Sequence, residues 1–115
     1  MRKGNLMAIK IYLDQGHNPR DFNTGAEGNG YYEQDITYEI GKRLYALLES
    51  NPAFETKLSR PSADTILGTS NSTSLSTRVN EANRWGADVF TAFPGKNLRD
   101  RQHRKRLPEK YHKFS

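Results

Sequence analysis

The chain has no cysteine among its 115 residues. That absence excludes disulfides, thiolate metal sites and cysteine nucleophiles, and it leaves His, Asp and Glu as the side chains able to hold a metal. Long apolar runs are missing too. None approaches the roughly 18 residues that read as a membrane span, and the charged stretch 1–7 lacks the apolar region of a signal peptide. No membrane partner is expected, and the sequence supplies no address. Acidic residues are scarce at one end: residues 96–115 carry eight Lys and Arg against two Asp and Glu, whereas residues 1–95 carry ten against eleven. The formal net charge of +5 therefore sits in the tail. A near-neutral body with a basic appendage does not present the broad positive face of a nucleic-acid-binding fold, so nucleic acid is not an expected partner.

What is present fits one domain, which is the ceiling at this length. Residues 8–13 alternate and include Ile9, Ile11 and Tyr12, predicting a strand. A loop rich in Gly, Asn and Asp follows over 14–30, long enough to be functional. Over 34–49 the apolar residues Ile36, Ile40, Leu44, Leu47 and Leu48 recur at helical spacing, and Ser50-Asn51-Pro52 stops the run. Residues 54–59 alternate as a second strand ended by Arg60-Pro61. After a polar loop over 62–73, Ser74 is the expected cap of a second helix through Trp85, with Leu75, Val79 and Ala82 on one face and Gly86 as its stop. A third strand over 87–93 completes a β-α-β-α-β order, which predicts an α/β fold with a mostly parallel sheet flanked by helices. The expected organisation is an N-terminal arm (1–7), a folded part (8–93) and a basic, disordered tail (94–115).

Two residues carry the chemistry. His17 follows the first strand and Glu33 opens the first helix, so an imidazole at a strand's C-terminal edge and a carboxylate at a helix N-terminus can meet as a metal pair, which suggests a zinc hydrolase. Each also has a plain structural reading: a loop histidine bonded to backbone, and a carboxylate favoured by the helix dipole. Asp14 is either an outer partner orienting the His17 ring or a turn former at the strand end. Arg60 and Arg78 could face anionic parts of a ligand or be solvated or ion-paired surface groups, and neither is assigned a role; Trp85 reads as core or helix-end packing in preference to a sugar-stacking platform.

The segments LDQGHNPRDFNTGAEGNGYYEQDIT, LSRP and SLSTRVNEANRWGADVF, in this order and spacing, resemble the catalytic domain of zinc-dependent N-acetylmuramoyl-L-alanine amidases over about residues 8–93. The resemblance implies an α/β domain of which this chain carries the N-terminal part. It implies a zinc ion as cofactor with His17 and Glu33 as two of its ligands, peptidoglycan as partner, and action on the cell wall outside the cytoplasm. The reaction it implies is hydrolysis of the amide between muramic acid and L-alanine. Where the family places its second histidine, this sequence has Pro94-Gly95-Lys96-Asn97, and neither the family's catalytic Glu nor its remaining strands follow. A frameshift or misassembled gene end is the expected origin of the tail, and His103 and His112 within it are not assigned as ligands. With two ligands instead of three, efficient turnover is not expected from the chain alone. The competing readings are a non-catalytic remnant or cell-wall-binding fragment and, third, a basic-tailed nucleic-acid-binding module.

Overall fold

A computed structural model describes residues 7–93. The elements run β1 (Ile9–Gln15), β2 (Glu27–Gly28), β3 (Tyr31–Tyr32), α1 (Glu33–Glu49), β4 (Phe54–Leu58), α2 (Asn71–Trp85) and β5 (Val89–Phe93). The β-α-β-α-β order gives the parallel sheet that it predicts, with strand order β4-β1-β5. β1 is central, so the chain crosses from it to one side through α1 and returns over it to the other side through α2. Crossovers of one hand running in opposite directions put their helices on opposite faces.

Alternation along β1 shows this directly. Lys10, Tyr12 and Asp14 meet α2: Lys10 Nζ donates to Trp85 O, Tyr12 hydroxyl to Glu81, and Asp14 accepts from Arg78. Gln15 points the other way, toward α1, where its Nε2 donates to Tyr38 O. The core beside α2 is small: Tyr12, Ala82 and Ala87 are fully buried, with Trp85 and Phe90 packed against them. Tyr12 and Phe90, opposite one another in the register, stack with centroids 5.4 Å apart. Trp85 is thus the packing residue that its place at the helix end suggested.

Several boundaries move. β1 continues through Gln15, because Gly16 N–H still reaches Phe93 O at 2.7 Å. Part of the expected 14–30 loop is a small antiparallel hairpin, β2 with β3. α2 starts earlier than expected. Its cap is Ser70 and not Ser74: Ser70 Oγ accepts from Thr73 N–H, and Thr73 Oγ1 in turn accepts from Ser70 N–H, a capping box built with threonine. Ser74 is instead buried inside the helix, accepting from Asn18 and Asn23. Gly86 does end the helix, in the left-handed conformation at φ 85°.

Only part of the apolar stripe that identifies α1 packs: Leu44 and Leu48 are half-buried, on the same face as Thr37 and Gly41. Ile36, Ile40 and Leu47 are exposed, whereas Gln34, Thr37 and Gly41 are buried against the sheet. Gly41 explains the closeness. A Cβ there would lie 2.3 Å from Gln15 Cγ, so only glycine lets the helix settle on β1 at this height. The expected arm (but for Met7) and the expected tail, with His103 and His112, lie outside the described residues.

Candidate metal site

The central position of β1 creates a crevice at its C-terminal end, where neighbouring connections leave in opposite directions. Open α/β sheets bind ligands there. Gly16 and His17 occupy that point. His17 adopts the left-handed region at φ 70°, a conformation that costs a non-glycine residue about 1–2 kcal/mol and has to be held by its surroundings.

The holding groups are two arginines. Arg78, from the buried face of α2, donates through Nη1 to Gln15 O (2.6 Å) and Asp14 Oδ1 (2.7 Å), and through Nη2 to His17 O (3.0 Å) and Asn18 Oδ1 (3.1 Å). Arg60, just after β4, donates through Nη1 to Gln34 O (2.8 Å) and Gly16 O (3.3 Å), and Thr37 Oγ1 donates to Gly16 O at 2.6 Å. Three consecutive carbonyls, those of Gln15, Gly16 and His17, are thereby fixed from below. Both arginines are 1 % exposed, which corrects their reading as surface groups. A guanidinium offers five donors in a rigid fork, so it can be buried where backbone oxygens converge. Burial, with Arg78 nearby, holds the Arg60 pKa below the usual arginine value.

Asn18 pins the far side of the loop. Its Oδ1 accepts from Leu67 N, and its Nδ2 donates to Phe22 O, Leu67 O and Ser74 Oγ. Asp14, read from the sequence as either an orienter of the His17 ring or a turn former, has its Oδ1 on Nη1 of Arg78, whose Nη2 donates to His17 O.

Glu33 comes from the opposite helix. The hairpin folds back over the start of α1: Glu33 N–H donates to Ala26 O, Ala26 N–H to Glu33 Oε1 (2.8 Å), and Gly25 N–H to Gln34 Oε1 (3.0 Å). These bonds cap a helix whose N-cap residue, Tyr32, supplies no side-chain cap. They aim the carboxylate at the end of β1, where Glu33 Oε1 lies 3.4 Å from His17 Nε2.

The structure thus brings His17 and Glu33 together. An imidazole nitrogen and a carboxylate oxygen are both zinc donors, and two donors at ~2.1 Å on a tetrahedral ion stand about 3.4 Å apart. The residues present fit such an ion by chemistry and by separation. Among the described residues no third His, Asp or Glu joins them. The position following β5, where the sequence reads Pro94, lies outside those residues. Sequence reasoning missed Arg60, Arg78, Thr37 and Asn18 as site residues; the signal available was that Arg60 and Arg78 fall inside segments that carry the family resemblance.

Comparison with known proteins agrees with this reading of the segments. The family model described as N-acetylmuramoyl-L-alanine amidase matches residues 11–93. The chain is 39 % identical over 86 residues to the N-acetylmuramoyl-L-alanine amidase CwlM of Bacillus licheniformis, covering 74 % of this chain and 30 % of that protein. It is 37 % identical over 86 residues to the sporulation-specific N-acetylmuramoyl-L-alanine amidase of Bacillus subtilis (strain 168), with the same coverage. LytC, a third amidase of that name from the same strain, is 36 % identical over 93 residues, covering 79 % of this chain and 16 % of that protein. The chain spans less than a third of the length of each of these relatives.

Proposed function

The chain belongs to the N-acetylmuramoyl-L-alanine amidase family, and from that premise we propose that His17 and Glu33 are zinc ligands of a peptidoglycan amidase site. The observation that carries this reading is the 3.4 Å approach of His17 Nε2 to Glu33 Oε1 at the C-terminal end of the central strand. The substrate bond is the amide joining muramic acid's lactyl group to L-alanine, and the site of action is the cell wall. No helix among the described residues is long and apolar enough to cross a membrane.

Zinc, when bound, supplies Lewis acidity toward the scissile carbonyl and toward a water. The chain's own residues supply placement. His17 presents Nε2 from a backbone held by Arg78, Arg60 and Thr37. Glu33 presents Oε1 while keeping the Ala26 N–H. Catalytic zinc sites take three protein ligands and leave a fourth position open, so turnover requires a further donor and a proton-transferring group from outside the described residues.

That requirement supports a second reading, a cell-wall-binding module without turnover, favoured by the lack of a third His, Asp or Glu beside the pair among the described residues. One experiment separates the readings. Zinc stoichiometry and affinity are measured on the full chain and on His17→Ala by metal analysis and chelator competition, followed by release of L-alanine amino termini from purified peptidoglycan. One zinc per chain, lost in His17→Ala, with release of new amino termini supports the amidase. Zinc binding or peptidoglycan pelleting without release supports the binding module. No zinc above background in the wild type overturns the metal reading.

A further inference from the structure

His17 and Glu33 come from elements on different sides of the crevice, and their separation depends on what joins those elements directly behind them. Two buried polar groups do so. Arg60 Nη1 donates to Gly16 O, the carbonyl immediately before His17, and to Gln34 O, the carbonyl of the residue that follows Glu33. Thr37 Oγ1 lies 2.6 Å from the first of these oxygens and 3.2 Å from the second. Arg60 Nη1 and Thr37 Oγ1 are themselves 3.5 Å apart. One nitrogen and one hydroxyl thus span the same two carbonyls, each adjacent in sequence to one member of the pair.

We propose that Arg60 and Thr37 are positioning residues that set the distance between His17 and Glu33 by bridging Gly16 O and Gln34 O. The inference rests on the reading of His17 and Glu33 as a metal pair, and it concerns what holds them at that spacing.

The energetics favour a geometric role. Every hydrogen bond that Arg60 makes among the described residues goes to a carbonyl or a hydroxyl, not to a carboxylate. Its Nε has no partner there. Burying a cation on neutral acceptors is a costly way to add stability, since an apolar side chain of similar size fills the same space without a desolvation penalty. What the guanidinium offers that an apolar chain lacks is fixed direction: two hydrogens on one nitrogen, in one plane, set the angle between two oxygens. Thr37 adds a second constraint at 1 % exposure, with its χ1 confined by branching. Outer-shell groups of this kind typically change metal affinity 10- to 100-fold when removed.

The test uses the full chain and does not require turnover. Thr37→Val keeps the shape and removes the hydroxyl, Thr37→Ser restores it, and Arg60→Lys keeps the charge but not the fork. Two quantities are read on each: nuclear Overhauser contacts between the His17 ring and the Glu33 side chain, and zinc affinity by chelator competition. Contacts between the stacked Tyr12 and Phe90 rings, on the other face of the sheet, report whether the fold is intact.

We expect Thr37→Val and Arg60→Lys to lose most of the His17–Glu33 contact intensity and at least tenfold in zinc affinity. Thr37→Ser stays within threefold of wild type, and the Tyr12–Phe90 contacts persist throughout. Unchanged His17–Glu33 contacts in both Thr37→Val and Arg60→Lys overturn the proposal. So does loss of the Tyr12–Phe90 contacts in step with the His17–Glu33 contacts, which marks a role in the fold at large. A wild type that binds no zinc defeats the metal reading alone, because the contact measurements still decide whether Arg60 and Thr37 set the spacing.

Discussion

Tyr12 shows how much a single buried group can govern. It is fully buried, it donates its hydroxyl to Glu81, and burial followed by that bond pushes its pKa far above the usual tyrosine value of 10. A group whose folded pKa is raised contributes stability that is complete below its unfolded pKa and is lost as pH rises beyond it. Between pH 10 and the folded value, the unfolded chain releases a proton that the folded chain keeps. Stability is expected to fall by about 1.4 kcal/mol per pH unit above pH 10 on account of this residue. Tyr12→Phe removes that slope while costing ~1 kcal/mol at pH 7 through the lost bond to Glu81. Urea denaturation of both proteins at intervals from pH 7 to 11 checks it, and equal alkaline slopes in the two would refute it.

At the scale of elements, the two helices are fastened by different means, and each makes a prediction. α2 starts with a capping box at Ser70 and Thr73. Ser70→Ala is expected to cost ~1 kcal/mol and to fray the first turn. Ser74→Ala is expected to leave the cap untouched and loosen the loop held by Asn18 and Asn23. Helical circular dichroism and amide exchange at residues 71–74 against 18–23 distinguish them. In α1, Gly41→Ala opposes two effects. Helix propensity favours alanine by about 1 kcal/mol, but the added Cβ would meet Gln15 Cγ at 2.3 Å and push the helix off β1. Overpacking costs roughly 1–3 kcal/mol, so net destabilisation is expected in a denaturant melt. The pattern of apolar residues revealed that α1 and α2 exist and that the sheet is parallel, because helix and strand periods are written in the order of side chains. It located the buried face of α1 only in part: Leu44 and Leu48 are half-buried, but Ile36, Ile40 and Leu47 are exposed. Gln34, Thr37 and Gly41 pack for reasons held in backbone carbonyls and in the closeness of β1, neither of which a one-dimensional pattern displays.

For the whole molecule, the described residues bury more polar and charged groups than apolar ones. That inversion is why the site was only half legible. His17 and Glu33 stand out because their side chains are chemically distinctive at a strand end and a helix start. Arg60 and Arg78 look like any charged surface residue until the fold turns carbonyls 15–17 toward them. The same inversion leaves apolar surface outside: Ile36, Ile40 and Leu47 on α1, and Ile9 and Val89 on the sheet, are each more than 40 % exposed. Exposed apolar patches of this kind promote association. The double variant Ile36→Lys with Ile40→Glu is expected to lower binding of an apolar dye and concentration-dependent sedimentation, with its unfolding free energy within about 0.5 kcal/mol of wild type. Unaltered sedimentation would show that another surface drives association.

The grip on residues 15–17 closes on main-chain oxygens, so it takes no account of what side chain stands at position 17. The position is a socket with an interchangeable fitting. Aspartate there would offer a harder donor and cysteine a softer one from the same backbone position, each on a shorter side chain than the imidazole. On the proposed reading of His17 and Glu33 as a metal pair, the donor offered at position 17 is then a property of one codon, separable from the scaffold that holds it.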